Sequence, residues 1–233
     1  MIRFNNRNLE SIAPVKIEDI TVSPIQLNPV ARQRPISFGA EYVRMGGSTR
    51  TVTISFALLE QRINTREDEM QDIRDWAYSD TEKTLQLPMF SNRHLECVCT
   101  QMPDNSYRKW WENKLKIVFT CFSNPYWTSD ELIEVNANTA FSIGGSAPPL
   151  VTISRSGATS LTNQVFTSRT EVMRFTTIPA GNLLIDLNRQ TAAIGSTSIM
   201  QYFDPLSNWI VPKIGANQYF GGVGVLRYRE RWV

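Results

Sequence analysis

Histidine is nearly absent from this chain: His94 is the only one in 233 residues. A serine or cysteine nucleophile needs a base oriented beside it, and no Gly-x-Ser-x-Gly segment accompanies that lone imidazole. Cysteine is scarce and odd in number, at three, which argues against the disulfide framework of a small secreted domain. No run approaches the roughly 18 consecutive apolar residues of a membrane-spanning helix. The amino terminus has no basic segment leading into an apolar one. The expectation is therefore a soluble chain made in the cytoplasm, with no membrane partner. Charge of neither sign dominates, with 24 Lys and Arg against 22 Asp and Glu, a net +2. Split at Asn136, the first part carries 16 basic and 18 acidic residues and the second 8 and 4. Nothing there points to a polyanion as the main partner, so no specific nucleic-acid binding is expected.

What is present is core material. Hydrophobic residues make up 42% of the chain, with six Trp and eleven Phe, enough for one large all-β domain or two ordinary ones. Residues 1–14 are polar and read as an arm or an edge strand, and Val15 to Val22 is β-rich. Pro24, Pro29 and Pro35 then exclude a regular helix and cannot donate to a sheet. Ile36, Phe38, Ala40 and Tyr42 alternate with polar or small neighbours, and Gly46-Gly47-Ser48 reads as a turn. The alternation of Val52, Ile54, Phe56 and Leu58 with Thr51, Thr53, Ser55 and Ala57 is the clearest strand signal in the chain. The expectation is a long hairpin whose tip carries Arg44 and Arg50. Its edge groups are satisfied either by its own domain or by a neighbouring subunit. Arg32, Arg34, Arg44 and Arg50 are the candidate subunit-interface residues.

Thr65 before Arg66-Glu67-Asp68 reads as a helix cap with acidic residues in the first turn. Met70, Ile73, Trp76 and Ala77 share one helical face, away from Asp68, Asp72 and Asp75. Those carboxylates read as a solvated outer face. Strands follow at Leu85-Gln86-Leu87, from Arg93 to Cys99 and from Lys114 to Phe122, the last closed by Asn124-Pro125-Tyr126-Trp127. His94, Cys97, Cys99 and Cys121 are adequate zinc ligands chemically, but Cys-Val-Cys within a strand lacks the tight turn with two intervening residues that presents paired thiolates. Leu95, Cys97 and Cys99 share a face opposite His94 and Glu96, so the three thiols read as small core hydrophobes. No metal, cofactor or catalytic residue is expected. Tyr107, Trp110 and Trp111 can stack on sugars or bases, or simply pack between strands.

Past Trp127 the composition turns rich in Gly, Ser, Thr and Asn. Residues 1–133 are assigned to a first domain and 134–233 to a second. Short strand candidates at Phe141–Ile143, Leu150–Ile153, Val165-Phe166, Val172–Phe175 and Leu183–Leu187 recur between Gly, Pro and Ser breaks, the rhythm of an antiparallel sandwich. Asp204-Pro205-Leu206 and Pro212 to Asn217 read as turns. Gly221-Gly222-Val223-Gly224 precedes a strand rather than a helix and lacks a Gly-Lys-Ser/Thr end, so it reads as a turn and not a phosphate loop. In the closing strand, Val223 to Trp232, Leu226 and Tyr228 oppose Arg227, Arg229 and Arg231. That basic stripe is either solvated or set against an acidic partner.

The order of these parts resembles the distal tail protein family of long-tailed (siphovirus-type) bacteriophages. The resemblance rests on the helix ending at Trp76, the short strand at Leu85 and Leu87, and the strand opening at Arg93. The closing strand with its Pro-aromatic stop and the glycine-rich turn before Val225-Leu226-Arg227-Tyr228 complete it. It implies a mainly β fold: a ring-forming first domain with one short amphipathic helix and a long hairpin, then a galectin-like antiparallel β-sandwich. It also implies a structural, non-enzymatic virion protein of the tail tip or baseplate, assembled in the bacterial cytoplasm. The implied partners are further copies of itself in a hexameric ring, the tail tube protein, a tail-tip hub or tail-associated protein, and receptor-binding protein. A different class remains open, a carbohydrate-binding sandwich acting in host-surface adhesion and presenting Trp209, Tyr202 or Tyr219 to a glycan. A cell-wall hydrolase ranks last, for want of a recognisable constellation.

Overall fold

A computed structural model describes residues 1–33, 40–59, 63–103, 115–168 and 171–233, with backbone alone for 27–33, 40–47, 63, 64 and 217. The chain divides into two compact units, Met1–Trp127 and Thr128–Val233.

The first unit opens with β1 (Arg3–Phe4) and β2 (Arg7–Asn8). Between them Asn5 and Asn6 take φ of 47° and 63°, the backbone that a two-residue hairpin turn with the strand's own twist requires. The segment read as an arm or edge is partly core, since Ile2, Phe4, Leu9 and Ala13 are buried. Next come β3 (Val15–Val22), β4 (Gln26–Gln33) and β5 (Ala40–Leu58). They are followed by α1 (Ile63–Ala77), β6 (Lys83–Gln86), β7 (Arg93–Gln101) and β8 (Leu115–Cys121). All pairings are antiparallel, in the order β2-β1-β6-β7-β8-β5-β3, with β4 on the amino-terminal part of β5.

Strand β5 corrects the expected hairpin. Gly46-Gly47-Ser48 is not a turn: β5 runs straight through it. Leu27 pairs with Ser48 and Pro29 with Met45, so β5 spends one extra residue there, and another between Arg44 and Tyr42. Glycines inside a strand commonly mark such bulges, where the missing side chain eases the irregular backbone. The long antiparallel pair is instead β4 with β5, and the expected strand positions Ile36 and Phe38 lie outside the described residues. Part of the proline-punctuated segment, Gln26–Gln33, is thus itself a strand, with Pro29 beside an irregularity in register, while Pro35 lies outside the described residues.

Helix α1 begins at Ile63, so Thr65 lies inside the first turn and is not the cap. Its expected face holds: Met70, Ile73, Trp76 and Ala77 are buried, and Asp68, Asp72 and Asp75 are exposed. Trp76 meets Phe4 at 5.9 Å and Phe119 at 6.0 Å between ring centroids, both edge to face. Its Nε1–H donates to the Arg7 carbonyl at 2.8 Å. Val52, Ile54, Phe56 and Leu58 of β5, and Ile117, Phe119 and Cys121 of β8, complete this core on the buried side of the predicted alternation.

Strand β9 (Trp127–Ser129) spans the division between units. The second unit contains β10 (Ile133–Asn136), β11 (Thr139–Ile143), β12 (Ala147–Gly157), β13 (Leu161–Ser168) and β14 (Glu171–Ile178). It continues with β15 (Gly181–Asp186), β16 (Thr191–Ile194), β17 (Thr197–Ser198), β18 (Gly215–Phe220) and β19 (Val225–Trp232). One antiparallel layer runs β17-β16-β15-β12-β19-β10. The other joins β11-β18 to β13-β14 through a bridge between Thr167 and Gly221. Val151, Ile153, Leu183, Ile185 and Leu226 from the first layer meet Phe166, Met173, Phe175 and Phe220 from the second in one core. The chain is mainly β, with one α-helix among the described residues, as the sequence pattern implies. Two local readings change. Pro148-Pro149 lies within β12 at a shift of register rather than between strands, and the stretch read as a turn up to Asn217 already enters β18 at Gly215.

Candidate functional site

The feature that sets the first unit apart is the ribbon of β4 and β5. Strand β8 pairs with β5 only over Arg50–Phe56, and β3 only over Val52–Leu58. The remainder of β5, Ala40–Thr49, is paired on one side by β4. At ~3.3 Å per residue this is about 33 Å of two-stranded ribbon. Among the described residues no strand pairs with the far edge of either member. A lone ribbon is marginal in water, and its open N–H and C=O groups are a template for another chain.

Local chemistry keeps that edge open at its base. The Glu82 carboxylate accepts the backbone N–H of Phe122 at 2.6 Å and of Ser123 at 3.0 Å. Asn124 Oδ1 then accepts the Tyr126 N–H at 3.3 Å. These bonds turn the chain after Cys121, so β8 does not continue alongside β5. Burial alone would raise the Glu82 pKa, but hydrogen bonds from Ser123 and Phe122 outweigh it and hold the carboxyl below its ordinary value.

The predicted interface arginines fall at three places on this element. Arg32 pairs with Glu41 near the open end of the described ribbon, and Arg44 pairs with Val30 at midlength. Arg34 lies outside the described residues. Arg50 is not at a tip, contrary to expectation. It pairs with Cys121 where the ribbon joins the sheet, it is only 4% exposed, and its Nε and Nη1 have no hydrogen-bond partner among the described residues. Burial lowers the guanidinium pKa, and the neighbouring Cys121 and Tyr126 oppose that shift.

The metal-ligand candidates do not converge. Cys97 and Cys121 are fully buried in the sheet core, and Cys99 is half-buried with Sγ 3.5 Å from Met102 Sδ. Cys99 is therefore only partly the core residue the pattern implied. Burial pushes the Cys97 thiol well above its ordinary pKa, reinforced by a hydrogen bond with Cys121, and pushes Cys99 to about 11. Among the described residues no group of three His, Cys, Asp or Glu is placed to hold a metal ion. Tyr107, Trp110 and Trp111 lie outside the described residues.

In the second unit the half-buried basic stripe of β19 is engaged within the chain itself. Arg227 pairs with Glu134 at 2.6 Å. Arg229 donates to the carbonyls of Ser129, at 2.9 Å, and Asp130, and Arg231 donates to the Pro148 carbonyl. Guanidinium groups bonded to carbonyls clamp chain segments, a use that the alternation of a strand cannot reveal. Of the aromatics weighed for glycan stacking, Trp209 is half-buried and stacked on Phe203 at 4.9 Å. Tyr219 is 40% exposed and its hydroxyl donates to Asn138 Oδ1 at 3.3 Å. Tyr202 is half-buried.

An antiparallel module with one helix and a projecting ribbon, followed by a two-layer sandwich, is the fold of the distal tail hub proteins. One solved protein with this likeness is Dit (gp 19.1) of phage SPP1, described as a paradigm of the hub adsorption apparatus in phages infecting Gram-positive bacteria. It is similar over 100% of this chain and 98% of its own, with a TM-score of 0.72 at 13% identity. The phage P2 baseplate in its activated conformation is more distantly similar. With Ca the TM-score is 0.47 at 12% identity over 94% of this chain and 90% of that one. With Sr it is 0.40 at 12% identity, over 93% and 90%. No protein-family model and no curated protein matches the sequence.

Proposed function

We propose that this chain is a structural, non-enzymatic virion protein of a bacteriophage tail tip or baseplate, a hub that closes into a ring of identical copies, six in number. The observation that carries the reading is the open-edged β4–β5 ribbon within a fold shared end to end with a phage hub protein. Each ribbon lies along the next copy, so that its edge groups are satisfied between subunits by strand addition. The contact is heterologous, and one repeated rotation must close it into a ring. Arg32 and Arg44 lie on the two strands of the ribbon and are the candidates to meet the neighbour, while buried Arg50 lies where the ribbon leaves the sheet. The ring joins the end of the tail tube protein to tail-tip or tail-associated protein, and the sandwich unit offers a mount for receptor-binding protein. Light scattering and negative-stain microscopy of the purified chain test this: a ring-shaped oligomer is expected. A strictly monomeric species at high concentration, alone and mixed with tail tube protein, overturns it.

A further inference from the structure

One row of cross-strand neighbours crosses four strands of the first unit and ends at the foot of the ribbon. Lys83 of β6 pairs with Cys97 of β7, and Cys121 of β8 pairs with Arg50 of β5. Between β7 and β8, Val98 pairs with Thr120 and Cys99 with Phe119. The same register one residue further on sets Cys97 directly opposite Cys121. Both lie in the core with Leu95 and Phe119, all four being 0% exposed, and the two thiols are joined by a hydrogen bond. Backbone pairing on their outer sides, to β6 and to β5, holds both positions in place. The chain leaves β8 immediately after Cys121, turned by the bonds from Phe122 and Ser123 to Glu82.

Directly opposed residues of antiparallel strands hold their Cα atoms about 4.5–5.5 Å apart, within the ~4.4–6.8 Å that a disulfide spans. Cys97 and Cys121 can therefore be joined without moving either strand. The same geometry excludes Cys99. Two residues along one strand, it stands about 6.6 Å from Cys97 with its Cα–Cβ bond parallel, whereas bonded cysteines have Cβ atoms ~3.5–4.5 Å apart. It lies opposite Phe119, and its Sγ is 3.5 Å from Met102 Sδ. An odd cysteine count speaks against a disulfide framework, but it does not bear on one pair placed by register. Hydrogen peroxide, an oxidant little larger than water, balances the step. One thiolate attacks a peroxide oxygen and breaks the O–O bond, giving a sulfenic acid and water. The second thiolate attacks that sulfur and displaces its oxygen as a second water. The two thiols lose two protons and two electrons, and the peroxide takes both. The new S–S bond closes residues 97–121 into a loop of about 25 residues, which restricts the unfolded chain.

We infer that Cys97 and Cys121 are an oxidative modification site: two free thiols that a small peroxide converts into a covalent staple between β7 and β8, beside the foot of the ribbon. The inference does not rest on the ring-forming reading and can fail or hold separately from it. The test is prolonged treatment of the folded full chain with hydrogen peroxide, then unfolding and alkylation without reductant, and peptide mass spectrometry. Peptides bearing Cys97 and Cys121 should emerge joined and should separate on adding dithiothreitol, with Cys99 outside the link. The Cys99→Ser variant should give the same link. Calorimetry should show the first unit of the oxidised chain melting about 5–15 °C above that of the reduced chain. Cys97 and Cys121 both recovered unlinked, or a link that includes Cys99, overturns the assignment. A linked chain whose first unit melts no higher than the reduced one overturns it too, because the strands would then have to distort to join.

Discussion

Truncating Trp76 tests whether the helix is fastened to the sheet as described. The side chain is 2% exposed, touches Phe4 and Phe119 edge to face, and donates one hydrogen bond to the Arg7 carbonyl. Replacing a fully buried large aromatic by alanine costs about 3–5 kcal/mol through lost transfer energy and the cavity left behind. The lost hydrogen bond adds about 1 kcal/mol, giving about 4–6 kcal/mol for Trp76→Ala. Trp76→Phe retains most of the ring contact, which holds its cost to about 2–3 kcal/mol, a third to a half of it from the unmade bond to Arg7. For a unit of this size each kcal/mol corresponds to about 3–5 °C. Calorimetry of the full chain should therefore show the first unit melting about 6–15 °C lower in Trp76→Phe and further still in Trp76→Ala, with the transition of the second unit unmoved. A change below about 1 kcal/mol in both variants would mean that the helix is not anchored through this side chain.

Other consequences follow from the buried polar groups. Arg50→Met removes two buried nitrogens that have no hydrogen-bond partner among the described residues, and the first unit should gain about 1–3 kcal/mol in urea denaturation with the oligomeric state unchanged; a loss of that size would show that the guanidinium is held in place by its surroundings. Hydrogen bonds from Ser123 and Phe122, outweighing burial, hold the Glu82 pKa below its ordinary value. Its stabilising effect is therefore present above the unfolded pKa and fades as pH falls through the folded one. Glu82→Gln should flatten the acid side of the stability profile, and an unchanged profile would count against the bonds to Phe122 and Ser123. The Cys99 pKa is raised to about 11, so its effect runs the other way: stability is complete below the unfolded value of 9.0 and declines as pH rises toward 11. In native protein a thiol reagent should reach Cys99 before Cys97 or Cys121, and faster as pH rises; mass spectrometry finding the buried pair labelled first would contradict the packing.

Much of this architecture could be read in the sequence, for identifiable reasons. Period-two alternation in Thr51–Leu58 and Leu115–Cys121 and the helical spacing of Met70, Ile73, Trp76 and Ala77 report burial on one face, which tertiary structure then respects. The misreadings came where one local signal has two structural meanings. Gly46-Gly47 signals a turn or a bulge, and only pairing to β4 on one side decides. Pro29 argues against a central strand but is tolerated where the ribbon is irregular and open. Thr65 has the chemistry of a cap, yet the helix starts earlier. The roles of Arg50, Arg227, Arg229 and Arg231 depend on carbonyls and strand partners distant in the chain, which charge alone does not encode. The docking of segment 203–208 against β14 was not legible at all, because its backbone bonds join positions far apart in the chain. The nearest sequence signal was the Asp-Pro turn itself.

The ribbon is where this account is most exposed. Residues 28–47 can be replaced by an Asn-Gly turn, which joins Leu27 to Ser48 at a position already paired. Light scattering of this variant beside the native chain measures assembly directly, with calorimetry confirming that the first unit still folds. The prediction is a closed oligomer for the native chain and a folded monomer for the shortened one. Rings of equal mass from both proteins would show that copies are joined by some other surface.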